Sequence, residues 1–271
     1  MSASPAASSP HGDDAAGMLH SRTAKTAVVI EDDPIVRELL LEVFESAGFA
    51  AIGTDNGGDG VALVAEHRPQ VTTVDVSMPG IDGFETVRRV RALSDTFILL
   101  VTASTDESDV VLGLSIGADD YVTKPFRPRE FRARVEAMLR RPRLVDRGEQ
   151  TASSVSAAEL LAHVLNHRDL SLDTSTRVVC RGDRELLLTR TEFDLLQTLL
   201  ESERRPRSKE DLARVARGDH LGAEYVTDLD KRAIEVHITN LRRKLGDSVT
   251  QPNYIETVRG IGYRLTEPAQ V

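Results

Sequence analysis

Val71-Thr72-Thr73-Val74-Asp75 is the stretch that organises the first half of the chain, an apolar run that ends in a carboxylate. The run does not alternate cleanly between apolar and polar residues, which is typical of a strand buried on both faces. Three further runs in this half also end in polar or charged side chains. They are residues 27–30 before Glu31 and Asp32, residues 97–101 before Thr102, and residues 120–123 before Lys124.

Strand-like runs and helical patterns alternate throughout this half, which predicts a five-stranded parallel, doubly wound α/β sheet with helices on both faces. In such a sheet ligands bind at the carboxyl ends of the strands, so the polar residues that end these runs should meet there. The predicted strands lie near 26–31, 49–53, 71–75, 97–102 and 119–123, and the predicted helices near 34–47, 57–67, 83–93, 106–116 and 128–141.

The polar residues at these strand ends suit phosphoryl transfer. Asp32 and Asp75 could supply two carboxylates to Mg²⁺, with Glu31 holding a coordinated water and a backbone carbonyl just past Asp75 completing the protein ligands. An aspartate can act as the nucleophile and form an aspartyl phosphate. The hydroxyl of Thr102 and the ammonium of Lys124 could then hold the phosphoryl oxygens.

Each of these residues also has an ordinary structural interpretation. An aspartate after a strand is usually a helix cap or a turn residue, and Asp33 before Pro34 is assigned to that role. Thr102 alone would be a β-branched strand residue, and Lys124 alone a solvated lysine. The combination at four strand ends is far more specific than any single member.

Composition is that of a soluble globular protein of about two domains, with 271 residues, 40% hydrophobic and 28% charged. No apolar stretch approaches the roughly 20 residues of a membrane span. The single Cys180 excludes an intramolecular disulfide and a cysteine zinc cluster. Residues 1–24 have no secretory signal pattern and are expected to form a disordered extension, and a cytoplasmic location follows by default.

Charge divides the chain unevenly. Residues 25–141 hold 13 Lys/Arg against 20 Asp/Glu, whereas residues 163–271 hold 18 of each. The net charge of −9 therefore belongs mainly to the first half, and the second half is free to carry a local basic patch. Residues 142–162, with small and charged side chains, are predicted to be a linker.

The second half, residues 163–271, predicts a compact α+β domain. Short strand-like pieces at 170–172, 178–180 and 185–188 precede three helical patterns and a terminal hairpin around residues 259–262. The helices are predicted near 191–202, 208–216 and 228–245.

The pattern at 228–245 is that of a DNA-reading helix. An apolar stripe faces the core, and a polar, basic surface opposite it could enter a major groove. A solvated basic face is the alternative, but the hairpin adds a second cationic element at Arg259. The polar positions are Arg232, His237, Thr239, Asn240, Arg242, Arg243 and Lys244.

Residues 25–141 resemble the receiver domain of bacterial two-component response regulators, which has a flavodoxin-like (CheY-like) fold. The motifs are residues 29–34, 75–83, 102–103 and 117–126. The resemblance implies phosphotransfer from a cognate sensor histidine kinase to Asp75, with Mg²⁺ bound by Asp32, Asp75 and the Ser77 carbonyl. It also implies that Thr102 and Tyr121 form a switch pair and that the Lys124–Pro125 bond is cis.

The same resemblance implies that the segment 107–141 supplies the interface of an active homodimer through charged pairs. Val110 stands where a basic residue is common, which predicts a weaker or differently arranged dimer. The residues that match the charged pattern are Asp119, Asp120, Glu130, Arg134 and Arg141.

Residues 163–267 resemble the winged helix-turn-helix of the OmpR/PhoB family, through residues 188–196, 234–245 and 257–264. The resemblance implies a wing contact by Arg259, and RNA polymerase contacts near residues 217–229. Thr239 and Asn240 occupy positions that are often basic in relatives, and Asn240 could read adenine instead. The implied contacts on the recognition helix are Arg232, His237, Arg242 and Arg243.

The expected function is therefore a phosphorylation-dependent transcriptional regulator that binds promoter DNA and is not an enzyme, beyond slow self-dephosphorylation. A phosphohydrolase is the rival hypothesis from the enzymes, but such enzymes often carry a second aspartate where this chain has Ser77. A second rival is a phosphorylation-independent regulator whose receiver serves only to form a dimer. A third is a receiver joined to a winged helix that binds protein instead of DNA.

Overall fold

A computed structural model describes residues 25–103, 107–139, 163–218 and 225–268. The predicted extension at 1–24 and linker at 142–162 lie outside the described residues, as does Arg141.

The first half is a five-stranded parallel sheet in the order β2-β1-β3-β4-β5, with connecting helices between the strands, as the sequence predicted. The elements are β1 (Lys25–Ile30), α1 (Pro34–Ser46), β2 (Phe49–Thr54), α2 (Gly57–His67), β3 (Val71–Asp75), α3 (Gly83–Leu93), β4 (Phe97–Thr102), α4 (Glu107–Ile116), β5 (Asp120–Thr123) and α5 (Pro128–Leu139).

Two apolar layers cover this sheet. On one face Ala27 and Val29 pack in a cluster with Phe44 and Phe131, and on the other face Val28 belongs to a second cluster. Every residue of β3 is buried, which explains its lack of apolar–polar alternation.

The strand order places the switch point of the sheet between β1 and β3, because the chain leaves β1 toward β2 on one side and returns to β3 on the other. The crevice outside the carboxyl ends of these two strands is where an open α/β sheet binds its ligand. Helix α1 begins beside this crevice, where the carboxylate of Asp33 accepts hydrogen bonds from the backbone N–H groups of Ile35 and Val36.

Within residues 163–218 and 225–268, the second half forms a four-stranded antiparallel sheet, three helices and a three-stranded sheet. The third predicted strand ends at Glu185, and Thr189 and Glu192 then form a capping box that starts the next helix. The elements are β6 (Val164–His167), β7 (Leu170–Asp173), β8 (Val178–Arg181), β9 (Arg184–Glu185), α6 (Arg190–Glu201), β10 (Arg207–Ser208), α7 (Lys209–Arg217), α8 (Asp228–Leu245), β11 (Ile255–Val258) and β12 (Gly262–Leu265).

The predicted hairpin is formed by β11 and β12, whose register pairs Val258 with Gly262. Gly260 in the turn has a φ of 74°, a left-handed conformation that favours glycine. A Cβ on Gly262 would lie 2.0 Å from the carbonyl oxygen of Arg207, so the close approach of β10 also requires glycine.

The two halves pack against each other through α4 and α8. Ala233 and Val236 of α8 belong to the same apolar cluster as Val110 and Leu114 of α4. None of the helices in the described residues combines the length and the apolarity that a membrane crossing requires.

Candidate functional site

Three carboxylates meet at the switch point of the parallel sheet. Glu31 and Asp32 follow β1, Asp75 ends β3, and one oxygen from each lies within 4.8 Å of the others. Glu31 and Asp75 are buried, and Asp32 is half-buried. The sequence-predicted acidic group is thus assembled in three dimensions.

Lys124 neutralises part of this cluster. Its Nζ lies 2.7 Å from Oε1 of Glu31 and 3.1 Å from Oδ2 of Asp75. Burial alone would lower the pKa of Lys124, but its contacts with the two carboxylates outweigh burial, and the pKa is raised. The lysine therefore remains an ammonium beside Asp75.

Glu31 is the carboxylate of the cluster whose charged form is disfavoured by its surroundings. Burial, with the nearby charge of Asp75, raises the pKa of Glu31 to about 7, although Lys124 acts in the opposite direction. Oε2 of Glu31 is buried and has no hydrogen-bond partner in the described residues. A buried, unpartnered carboxylate oxygen beside two further carboxylates fits a divalent cation or its coordinated water.

The remaining predicted phosphoryl-site residues lie at the same sheet edge. Thr102 is buried at the end of β4, and its carbonyl accepts a 2.7 Å hydrogen bond from the backbone N–H of Lys124. The Lys124–Pro125 bond is cis, as the sequence predicted. Ser77 is exposed, and its backbone N–H lies 3.4 Å from Oδ1 of Asp75.

Tyr121 connects this edge to the second half of the chain. Its ring is buried, and its hydroxyl donates a 2.9 Å hydrogen bond to Oδ1 of Asp230 in the first turn of α8. Asp230 also pairs with Arg217 and closes the capping box of Thr227. Burial and the nearby carboxylates raise the pKa of Tyr121, so its hydroxyl stays protonated as a donor.

Helix α8 turns part of its predicted DNA-reading surface toward the first half. His237 and Asn240 are buried, and Nδ2 of Asn240 donates a 3.0 Å hydrogen bond to the carbonyl oxygen of Leu114 in α4. Arg232 pairs with Glu107 of α4 at 2.8 Å while half of its side chain stays exposed. The other predicted contacts with exposed positions are Thr239, Arg243 and Arg259.

Arg242 lies on the inner side of α8. Its guanidinium is buried and donates hydrogen bonds to the carbonyl oxygen of Ile255 at 2.9 Å and to Oγ1 of Thr257 at 3.0 Å. It also stacks 5.7 Å from the ring centroid of Tyr263. Arg242 therefore ties the recognition helix to the hairpin.

Asp119 bridges the two halves. Its Oδ2 accepts hydrogen bonds from Arg91 and from the backbone N–H of Ile98. Its Oδ1 accepts hydrogen bonds from the backbone N–H groups of Arg190 at 3.0 Å and Thr191 at 3.4 Å, the first two residues of α6. These amides have no partner within their own helix, so a carboxylate from the other half satisfies them.

Two further residues predicted for a dimer interface, Asp120 and Arg134, are described with their side chains. Asp120 pairs with Arg134 at 2.9 Å within the first half. Glu130 belongs to α5, but its side chain is outside the described residues. Val110, which departs from the charged pattern, is buried in the apolar cluster shared with α8.

Comparison with known proteins agrees with this two-part architecture. Residues 27–136 match the family described as "Response regulator receiver domain", and residues 183–265 match "Transcriptional regulatory protein, C terminal". The response regulator MprA of Mycobacterium ulcerans is 38% identical over 241 residues, which cover 89% of this chain and 97% of that protein. The chain belongs to the OmpR/PhoB family of two-component response regulators.

Other relatives align with this regulator over about nine-tenths of its length. The transcriptional regulatory protein AfsQ1 of Streptomyces coelicolor is 38% identical, covering 89% of this chain and 98% of that protein. A solved mutant of RitR has the same fold, with a TM-score of 0.64 at 20% identity, covering 90% of this chain and 99% of that one. A receiver joined to a DNA-binding domain makes the regulator a phosphorylation-dependent regulator of transcription.

The structure of this regulator shows two contacts between its halves that the sequence did not predict. The sequence assigned no role to Asp230, and only folding places it opposite Tyr121. Asp119 is expected from the sequence at a dimer interface, and here it contacts α6 of its own chain. Neither pairing leaves a signal in local sequence, because each partner lies at least 70 residues away.

Proposed function

We propose that the regulator accepts a phosphoryl group on Asp75 and thereby controls whether α8 is free to bind promoter DNA. The observation that best supports this proposal is the cluster of Glu31, Asp32 and Asp75, whose carboxylate oxygens lie within 4.8 Å of one another. Nζ of Lys124 lies 3.1 Å from Oδ2 of Asp75. This arrangement combines a nucleophile, a cation site and a positive charge for the phosphoryl oxygens.

Asp32, Asp75 and the carbonyl of Ser77 would hold Mg²⁺, with Glu31 retaining a coordinated water. When bound, Mg²⁺ offsets the charge of the incoming phosphoryl group against the acidic cluster. The unpartnered Oε2 of Glu31 supports this assignment.

The Asp75 carboxylate attacks phosphorus, and the bond between phosphorus and the kinase histidine nitrogen breaks, with the electron pair leaving on that nitrogen. The ammonium of Lys124 and the hydroxyl of Thr102 hold the phosphoryl oxygens. The output is non-enzymatic, and water ends the signal by slow hydrolysis of the acyl phosphate.

The closed arrangement of the two halves is the inactive state in this proposal. His237 and Asn240 of α8 are buried against the receiver, so they cannot reach base edges in a major groove. Phosphorylation of Asp75 moves Thr102 and reorients Tyr121, which breaks the hydrogen bond from Tyr121 to Asp230. The phosphoryl group thus favours the open state by its better interactions with that state.

Dimerisation uses the same receiver surface. Asp119 and its neighbours are covered by α6 and α8 in the closed state, so domain docking and dimerisation through this face exclude each other. Opening frees the face for a homodimer that places two winged helices on adjacent half-sites. Its proposed residues are Asp119, Asp120, Glu130, Arg134 and Arg141.

The DNA contacts are assigned to the outer surface of α8 and to the wing. Asn240 suits adenine, whose N6 and N7 match an amide side chain. Arg242 positions the wing from behind the helix and does not contact DNA in this assignment. The contacting residues are Arg232, His237, Thr239, Asn240 and Arg243 on α8 and Arg259 in the wing.

The partners are a cognate sensor histidine kinase, double-stranded promoter DNA and RNA polymerase, in a cytoplasmic setting. The polymerase contact is assigned to the segment 217–229, in which residues 219–224 lie outside the described residues. Tyr225 in this segment is 87% exposed, and a large exposed aromatic side chain is suited to a protein contact.

The receiver domain is assigned to residues 25–141 and the DNA-binding domain to 163–271, joined by the linker at 142–162.

The test compares Asp75→Asn with Asp82→Asn after incubation with acetyl phosphate and Mg²⁺. Asp82 lies near the site, but its carboxylate caps α3 by accepting from Glu85, a role that asparagine retains. We expect intact-mass spectrometry to show one added phosphoryl group on the wild type and on Asp82→Asn, and none on Asp75→Asn. Equal labelling of all three proteins would refute the assignment of Asp75.

A further inference from the structure

His237 occupies an unusual position for a residue on a DNA-reading surface. It is 2% exposed and lines a small cleft between α8 and the receiver together with Asp119, Asp120 and Tyr121. Receiver residues therefore form one wall of the cleft that encloses the imidazole, and domain opening would remove that wall.

We propose that His237 makes the closed state acid-sensitive, so that the unphosphorylated regulator opens as the pH falls. The inference rests on the proposed function only for its consequence in DNA binding. The domain opening itself requires neither DNA nor a phosphoryl donor.

The carboxylates around His237 are already engaged. Asp119, which directly precedes β5, bonds to Arg91 and to the amides of α6, and Asp120 pairs with Arg134. Because these partners already engage both groups, the two carboxylates compensate a buried imidazolium only in part.

The other elements that pack around His237 are engaged in the same way. Glu192 of α6 pairs with Lys244 of α8 at 2.5 Å, and Asp230 pairs with Arg217 of α7 and accepts from Tyr121. On α4, Glu107 pairs with Arg232. The closed state therefore disfavours an added positive charge at this position.

The direction of the pH effect follows from burial. Burial lowers the pKa of His237, and the opposing effects of Glu192, Asp119 and Asp120 are smaller. In the open state the exposed imidazole should titrate near 6.5, so the open state binds more protons than the closed state. Between pH 7.5 and pH 5.5 the ratio of open to closed molecules should rise about tenfold.

The same protonation would assist DNA binding, because an imidazolium on the exposed reading surface is attracted to phosphate. Acid would thus act as a second input to the regulator, parallel to phosphorylation of Asp75. Both inputs shift one equilibrium between the closed and open states.

The amides of Arg190 and Thr191 provide a direct probe, because both donate to Asp119 across the domain boundary. Their hydrogen-exchange protection is to be measured by NMR in the unphosphorylated full-length chain, corrected for the intrinsic effect of pH. We expect the protection to fall about tenfold from pH 7.5 to pH 5.5.

His237→Gln should remove the pH response of these amides, and His237→Asn serves if the glutamine variant does not fold. His167→Gln is the matched control, because burial also lowers the pKa of His167, but that residue bonds to Thr266 inside the DNA-binding domain. The control should respond to pH as the wild type does. The inference is overturned if wild-type protection is independent of pH, if the His237 variants respond like the wild type, or if the control loses its response.

Discussion

The hydroxyl of Tyr121 in the receiver donates a 2.9 Å hydrogen bond to the carboxylate of Asp230, which lies 109 residues further along the chain in the DNA-binding domain. Tyr121 stands three residues before Lys124, which contacts Asp75 at 3.1 Å. Asp230 stands in the first turn of the recognition helix α8. One hydrogen bond therefore joins the receiver strand that leads to Lys124 with the first turn of α8.

Tyr121→Phe should increase the DNA affinity of the unphosphorylated regulator. The substitution removes a hydrogen bond to a charged acceptor, which contributes about 1.5 kcal/mol or more to the closed state. Since affinity scales with the population of the binding-competent state, we expect a gain of roughly tenfold, measured by fluorescence anisotropy with promoter DNA.

Tyr254→Phe is the control for this loss of a hydroxyl. The hydroxyl of Tyr254 donates to Asp169 at 2.6 Å within the DNA-binding domain, away from the receiver. Its removal should leave the DNA affinity unchanged. An unchanged affinity for Tyr121→Phe would show that this contact does not restrain α8.

Thr191→Val should loosen the docking of α6 on the receiver. Thr191 is buried, and its hydroxyl donates a 3.0 Å hydrogen bond to the backbone carbonyl of Asp119. Valine keeps the volume but leaves that carbonyl without this donor, at a cost of about 1 kcal/mol to the closed state. Hydrogen-exchange protection of the Arg190 amide should fall roughly fivefold.

Thr198→Val provides the comparison on the same helix. The hydroxyl of Thr198 donates to the carbonyl of Asp194 within α6, so no contact with the receiver is lost. Protection of the Arg190 amide should then remain at the wild-type level. Equal losses in the two variants would indicate a general effect on α6 rather than undocking.

Val110→Lys should open the regulator. Val110 is 2% exposed and packs in the cluster that contains Ala233 and Val236 of α8, so a lysine there would place an unpaired charge in an apolar contact. The cost to the closed state is several kcal/mol, enough to separate the domains. Small-angle X-ray scattering should show a larger radius of gyration.

Leu112→Lys tests the same change on the exposed side of α4, where the leucine is 46% exposed. This variant should keep the wild-type radius of gyration. If Val110→Lys kept the wild-type radius of gyration, the apolar contact at Val110 would not be what holds the two domains together.

Mg²⁺ affinity should depend on pH through Glu31. Burial raises the pKa of Glu31 to about 7, so protons compete with the cation below that pH. We expect the affinity for Mg²⁺, measured by calorimetry, to fall about tenfold from pH 8 to pH 6. Glu31→Gln should bind Mg²⁺ more weakly and with little dependence on pH, and a full pH response in that variant would assign the effect to another group.

The raised pKa of Glu31 also predicts a change in stability. A carboxyl group whose pKa is higher in the folded state than in the unfolded state binds more protons when folded. The free energy of unfolding without Mg²⁺ should therefore decrease as the pH rises from about 4.5 to 7. Glu31→Gln should flatten that part of the pH profile in chemical denaturation.

Local sequence predicted most of the fold. The five parallel strands follow from apolar runs separated by helical patterns, and the hairpin follows from Gly260 and Gly262. The predicted strand at 185–188 is shorter in the structure, because the capping box of Thr189 begins a helix there. Helix boundaries otherwise shift by only one or two residues.

The sequence also predicted the position of the acidic site, because parallel strands bring their carboxyl ends to one edge of the sheet. The apolar run that ends at Asp75 thus determined where that carboxylate lies, and the runs before Glu31 and Lys124 determined its neighbours. The docking of α8 on α4, the bond from Tyr121 to Asp230 and the enclosure of His237 were decided only by the tertiary structure. These contacts join surfaces far apart in the chain, so their energies depend on how two folded domains fit together, and no local pattern of residues encodes that fit.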